Sequence, residues 1–240
     1  NKIFCAGRKI SEHDKLPKNL STEQILIQSS NIGSIRIAQR IGEKKYKDFL
    51  NSLELFKKID FELGEIGTPL PFKWGKCKLA TASFGHGITT TLLQLAKAYS
   101  IIVNGGYDIH PRLIKNSKKD KREKILNNDV SLKILPILRK VVTTKEGTAS
   151  LANVDGYEIG GKTGTAQKSS LGSYSEDKKI NTFVSVFPTS KPKFVLAIML
   201  DEPKINREYI YAYRDGSNFK LKGSPRNTAG WNSVEATGHI

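Results

Sequence analysis

The sequence predicts an α+β fold, with helices in the first part of the chain and strands gathered late. Three observations carry that prediction. Apolar residues recur at helical spacing through much of the first 142 residues. Two capping boxes, Ser21-Thr-Glu-Gln24 and Thr91-x-x-Gln94, mark helix starts. Two apolar runs, residues 182–187 and 194–200, read as strands joined by a turn containing Pro188 and Pro192. The chain of 240 residues has ordinary apolar and aromatic content, enough for one large domain or two small ones. No internal repeat is visible.

Taken in order, residues up to 18 show no clear periodicity. The first capping box opens a short helix to about Gln28. Ser29-Ser30-Asn31 interrupts it with residues that prefer caps and turns. A second helix is expected over residues 32–41, with Ile32, Ile35, Ala38 and Ile41 on one face and Gly42 as its stop. Residues 43–56 read as a third, through Tyr46, Phe49, Leu50 and Leu53. Residues 64–77 are rich in Pro and Gly and read as loop. The second capping box opens a helix through Leu92, Leu95, Ala96, Tyr99 and Val103, closed by Asn104-Gly-Gly106. Asp129 begins a helix to Val142, which Pro136 should kink or split.

The stretch Gly156-Tyr-Glu-Ile-Gly-Gly-Lys-Thr-Gly-Thr165 satisfies two unrelated motifs. As G-x-x-x-x-G-K-T it is a phosphate loop, which needs an apolar strand before it and a helix after it. As Lys162-Thr163-Gly164 it is the K-T-G of penicillin-recognising serine enzymes. The flanks choose. Ala149-Ser-Leu-Ala-Asn-Val-Asp155 is too polar for a buried parallel strand. After Thr163, Gly164, Ser169, Ser170, Gly172, Ser173 and Ser175 read as loop rather than helix. The strand ending in Asp201-Glu202 would suit a nucleotide site, but apolar strands commonly end in acids.

The balance of 39 basic against 23 acidic residues gives a net charge of +16, which favours anionic partners. The densest basic run, residues 115–124, holds Asp120 and Glu123 and no aromatics, so it reads as a solvated loop and not a nucleic-acid surface. Cys5 and Cys77 fit no metal-ligand spacing and are too few for a disulfide scaffold; they leave the compartment open. No signal peptide is visible, and the longest apolar run, residues 194–200, is far too short to span a bilayer.

Set side by side, Ser29-Ser30-Asn31 and Lys162-Thr163-Gly164-Thr165 make the chain resemble a class B penicillin-binding protein of the cell-division type. Ala80-Thr-Ala-Ser-Phe-Gly-His-Gly-Ile88, Leu93-Gln-Leu-Ala96, Asn104-Gly-Gly106, Gly147-Thr-Ala149 and Gly161-Lys-Thr-Gly-Thr-Ala-Gln-Lys168 carry the resemblance further. They keep the family's order over residues 24–203. The resemblance implies helices packed on a mainly antiparallel sheet and a D,D-transpeptidase acting on the D-Ala-D-Ala end of a peptidoglycan stem peptide. It implies no metal or organic cofactor. β-Lactams would be ligands, division-complex membrane proteins partners, and the periplasmic face of the inner membrane the location, with the anchor upstream.

By the same resemblance, four residues are catalytic: Ser29, Asn31, Lys162 and Thr165. Ser29 would relay a proton between a general-base lysine and the leaving amine, and Asn31 would bond the substrate's amide backbone. Lys162 would add positive potential beside the substrate carboxylate, which Thr163 and Thr165 would hold. Gly164 lets the strand lie close to the substrate, and the Thr165 N–H would supply half of the oxyanion hole. Each has a plainer reading. Local sequence alone favours helix capping for Ser29 and Asn31. Lys162 could be a surface lysine and Gly160-Gly161 a turn. His86 is expected to support the site from behind its contact residues or to be structural, and not to be the base, and Tyr99 is expected to lie in the core.

The departure from the family is its nucleophile, the serine of S-x-x-K, which should open a helix upstream of Ser29. Such strings occur only at residues 175–178, 190–193 and 217–220, where loop or turn is expected. The sequence therefore reads as the C-terminal portion of a transpeptidase domain, truncated at both ends, marginally stable and inactive alone. The covering helix of its sheet is expected beyond residue 240. A non-catalytic penicillin- or peptidoglycan-binding or division scaffold module, a serine β-lactamase or penicillin sensor, and more distantly a P-loop nucleotide hydrolase are the alternatives.

Overall fold

A computed structural model describes residues 3–5, 8–64, 67–70, 73–75, 77–115, 122–170, 173–204, 210–215, 218–223 and 227–240. The chain opens with two short antiparallel strands, β1 (Ile3–Cys5) and β2 (Arg8–Ile10), where the sequence shows no alternation to announce them. Helices α1 (Thr22–Ile27), α2 (Asn31–Ile41), α3 (Glu43–Ser52), α4 (Lys78–Ala82), α5 (Leu92–Val103) and α6 (Asn128–Thr143) follow. Strands β3 (Gly160–Ser170), β4 (Ser173–Phe187) and β5 (Phe194–Asp201) form one antiparallel sheet in that order. A separate hairpin, β6 (Ile210–Asp215) and β7 (Asn218–Gly223), precedes the last helix, α7 (Ser233–His239). The α+β reading holds.

Both capping boxes form as expected. Ser21 accepts from the Gln24 N–H and Thr91 from the Gln94 N–H, with each Gln side chain returned to its cap. Other details differ. The third helix stops at Ser52 rather than Phe56, because Glu54 turns into the left-handed region at φ 53°. That turn brings the Glu54 carboxylate to Lys97, whose ammonium lies 2.7 Å from it and 3.2 Å from Asp108. Lys97 is thus buried on α5 in a paired state, and the inward face runs through Gln94, Lys97, Ala98, Ile101 and Val103. Of the stripe expected on α5, only Val103 is fully buried, and Tyr99 is half-buried. On α2, Ile35 and Ala38 point inward while Ile41 is 44% exposed.

Helix α6 runs unbroken through Pro136. Pro136 and Leu132 both lie on its exposed side, so the Leu132 carbonyl that the proline cannot bond is not buried. The glycine- and serine-rich stretch after Thr163, expected as loop, is strand. Pairing with β4 overrides its low strand propensity, with Gly164 opposite Thr182 and Thr165 opposite Asn181. Ser175 likewise lies within β4, while residue 217 is outside the described residues, as are residues 116–121 of the basic run.

Alternation along the sheet fixes its two faces. Val186, opposite Gly160, packs with Val103 of α5 and with Leu135 and Leu138 of α6. Phe183, opposite Thr163, is fully buried in a cluster with Val234 of α7. Helix α7 packs on this face, against β4 and β5. Gly160-Gly161 is not a turn but the start of β3, pressed against its neighbours. A Cβ on Gly160 would stand 2.8 Å from the Arg139 nitrogen of α6, and one on Gly161 2.5 Å from the Val184 oxygen.

Cys5 and Cys77 are joined in a disulfide that ties β1 to the start of α4 across 72 residues. The pair that looked too sparse for a scaffold is one long-range staple. No described helix is long and apolar enough to cross a membrane.

Candidate active site

The turn between α1 and α2 carries the S-x-N motif. Ser29 sits at φ 56°, a left-handed conformation unusual for a residue with a Cβ. Its neighbour Ser30 is the N-cap of α2, with its hydroxyl accepting from the Gly33 N–H at 2.9 Å. The capping role that local sequence favoured for Ser29 and Asn31 therefore belongs to Ser30. Ser29 is left exposed, and Asn31 is the first residue of the helix. The Asn31 amide donates to the Ser11 carbonyl at 3.3 Å, which leaves its Oδ1 to accept from a ligand.

Lys162 comes from β3, 133 residues later, and its Nζ stands 2.7 Å from the Ser29 Oγ. A second bond runs from Nζ to the Thr163 carbonyl at 3.1 Å. An ammonium has three donors, so one remains for a ligand. Lys162 is half-buried, and burial pushes its pKa down from 10.5 to about 8.

Thr163 and Thr165 lie on the other face of the same strand. The Thr163 hydroxyl is 2.8 Å from that of Thr148, and the Thr165 hydroxyl accepts from the Ala229 N–H at 3.0 Å. The latter bond uses an acceptor lone pair of the Thr165 hydroxyl and not its O–H. Gly164 between them is exposed, and a Cβ there would meet only the Thr182 oxygen at 3.9 Å. Among the described strands β3 pairs only with β4, so its outer edge is open. A ligand laid along that edge would be flanked by Lys162 on one side and Thr163 and Thr165 on the other.

The structure thus brings Ser29, Asn31, Lys162, Thr163, Gly164 and Thr165 into one region, where an anionic group would meet an ammonium and two hydroxyls. It also disposes of the nucleotide reading: Gly156 and the residues after it lead into strand β3 and not into a helix N-terminus. Residues 3–217 match the penicillin binding protein transpeptidase domain. The chain belongs to that family. It is 31% identical to the probable peptidoglycan D,D-transpeptidase FtsI of Caulobacter vibrioides, a match covering 97% of this chain and 39% of the relative. It is also 31% identical to the probable peptidoglycan D,D-transpeptidase PenA of Neisseria flavescens, over 79% of this chain and 48% of the relative. The chain therefore spans less than half the length of these curated relatives.

The transpeptidase fold is equally plain in solved structures. Penicillin-binding protein 3 of Mycobacterium tuberculosis complexed with ampicillin superposes with a TM-score of 0.82 at 24% identity, covering 99% of this chain and 54% of that one. The apo transpeptidase domain of Burkholderia pseudomallei penicillin-binding protein 3 gives 0.77 at 26% identity, covering 84% and 62%.

Other members of the site region had weak sequence signals or none. Thr148 lies in the Gly147-Thr-Ala149 stretch, which carried the resemblance without a role. Glu12 had no signal at all, yet its carboxylate accepts from the Ser30 hydroxyl and from the N–H groups of Asn31 and Ile32. His86, expected to support the site or to be structural, stacks on Phe84 with ring centroids 6.0 Å apart. Burial, with the nearby Lys78 charge, lowers its pKa.

Proposed function

We propose that the chain is the C-terminal portion of the transpeptidase domain of a septal peptidoglycan D,D-transpeptidase. The observation that carries this is the 2.7 Å contact between Lys162 and Ser29, which joins two motifs 133 residues apart. The nucleophilic serine of S-x-x-K comes from another part of the full-length protein. Its Oγ attacks the carbonyl of the penultimate D-Ala, an acyl-serine ester forms, and the terminal D-Ala leaves as the amine. An amine of a neighbouring strand then attacks the ester, forming the new amide and freeing the serine.

This chain's residues serve both steps. Lys162, Thr163 and Thr165 hold the terminal carboxylate, a charge-assisted arrangement at an open strand edge. Ser29 relays the proton that moves between the base and the leaving amine, and Asn31 bonds the substrate's amide backbone. The Thr165 N–H supplies part of the oxyanion hole. β-Lactams occupy the same place as carboxylate-bearing mimics of the substrate.

The protein acts at the periplasmic face of the inner membrane, anchored by a segment outside these residues and docked to membrane proteins of the division complex. The Cys5–Cys77 disulfide suits an oxidising compartment. Labelling the full-length protein with fluorescent penicillin tests the reading. A covalent label that Lys162→Ala weakens supports it; an unlabelled protein that still binds stem peptide points to a non-catalytic scaffold.

A further inference from the structure

We propose that Glu12 is a positioning residue, whose carboxylate sets the S-x-N turn so that Ser29 faces Lys162; this rests on the transpeptidase reading above. A helix start leaves its first N–H groups without partners inside the helix. On α2 three of them are satisfied by two coupled side chains. Glu12 takes the Asn31 N–H at 2.7 Å and the Ile32 N–H at 3.1 Å, while Ser30 takes that of Gly33 at 2.9 Å. The Ser30 hydroxyl then donates to Glu12 at 2.6 Å, which locks cap and carboxylate together. Ser30 is 2% exposed, so this bond is out of bulk water.

The consequence falls on the residue before the cap. A left-handed serine persists only where its surroundings over-determine it. On one side, the Ser29 and Ser30 N–H groups bond back to Leu26 and Ile25 of α1. On the other, Glu12 fixes Ser30, Asn31 and Ile32, and the Ser11 carbonyl holds the Asn31 amide. Ser29 is the link between these two anchored pieces, and its hydroxyl is aimed at Lys162. The Glu12 segment is itself held: it follows β2, which pairs with β1, and β1 is stapled by the disulfide to the start of α4, the helix that packs on α2.

The chemistry asks for a carboxylate. Three donors converge on two acceptor oxygens, and a negative charge at a helix N-terminus is stabilised by the helix dipole. Glutamine offers one acceptor oxygen and turns an NH2 toward the remaining donor. Aspartate keeps the charge but shortens the reach by one methylene.

The test uses the full-length protein and the second-order rate of acylation by benzylpenicillin. Glu12→Gln is expected to slow acylation about tenfold or more, since small misplacements of a reacting group have effects of that order. Glu12→Asp should recover part of the loss. Because Glu12 acts through Ser29, adding Glu12→Gln to Ser29→Ala should change the rate less than twofold. A role in stability alone would lower the melting temperature without that non-additivity. Amide hydrogen exchange supplies a readout independent of activity: Glu12→Gln should speed exchange at Asn31 and Ile32 and spare residues 35–41. If the wild type does not acylate, the transpeptidase reading falls, and exchange alone decides whether Glu12 holds the turn. Acylation by Glu12→Gln within twofold of wild type, additivity with Ser29→Ala, or unchanged exchange at Asn31 and Ile32 would each overturn the proposal.

Discussion

Lys162 is the residue on which the proposed chemistry and the pH dependence meet. Burial holds its folded pKa near 8, below the ordinary 10.5. Below pH 8 it is charged in both folded and unfolded states, and the cost of burying that charge, up to roughly 3 kcal/mol, is borne in full. Between 8 and 10.5 the unfolded chain binds more protons, so this residue's contribution to stability rises with pH. The difference between wild type and Lys162→Met in urea unfolding, followed across that window, isolates it. Activity should move the opposite way. Acylation of the full-length protein by a carboxylate-bearing β-lactam should decline as pH passes about 8, because the ammonium that attracts the carboxylate is lost. A rate flat to pH 9.5 would contradict that role. Two glycines on the same strand offer a contrast. Gly164→Ala meets only the Thr182 oxygen, at ordinary van der Waals distance, and should shift stability by no more than about 0.5 kcal/mol while impairing acylation. Gly161→Ala drives a methyl into the Val184 oxygen and the Phe183 ring and should cost about 1–3 kcal/mol in urea unfolding.

Among the elements, α6 makes the clearest prediction. Its proline sits on the solvent face of an intact helix, so Pro136→Ala restores a backbone bond without disturbing the core. It should raise stability by about 1–3 kcal/mol, read from the urea midpoint. The same helix shows what sequence conveys about elements. Caps and periodicity are local, so Ser21, Thr91 and the extent of α6 were legible. What depended on distant partners was not. The inward face of α5 was misread because Lys97 looks like a solvent residue until Glu54 and Asp108 are seen beside it. Strand β3 was misread beyond Thr163 because its strand character comes from β4 across the ladder. The site divides in the same way. Ser29, Asn31 and Lys162 to Thr165 were visible as ordered motifs. Glu12 was not, since its bonds reach 18 to 20 residues along the chain with no local signature.

For the whole molecule, the disulfide is a long-range covalent constraint that the sequence left open. Its 72-residue separation makes the loop-closure effect large, and the Cys5→Ser, Cys77→Ser double variant should lose about 4 kcal/mol of stability by the chain-entropy relation. Comparing urea midpoints of the oxidised protein and that variant checks it. Since β1 leads through β2 to Glu12, the variant should also loosen the S-x-N turn, seen as faster amide exchange at Asn31. The central claim is that the chain supplies the substrate-holding half of an acyl-serine transpeptidase. Intact-mass analysis of the full-length protein after exposure to benzylpenicillin tests it most directly, with these 240 residues alone as the control. One covalent penicillin is predicted on the full-length protein, mapped to the serine of an S-x-x-K motif, and none on the 240 residues alone. No adduct on the full-length protein, or one formed within the 240 residues, would contradict it.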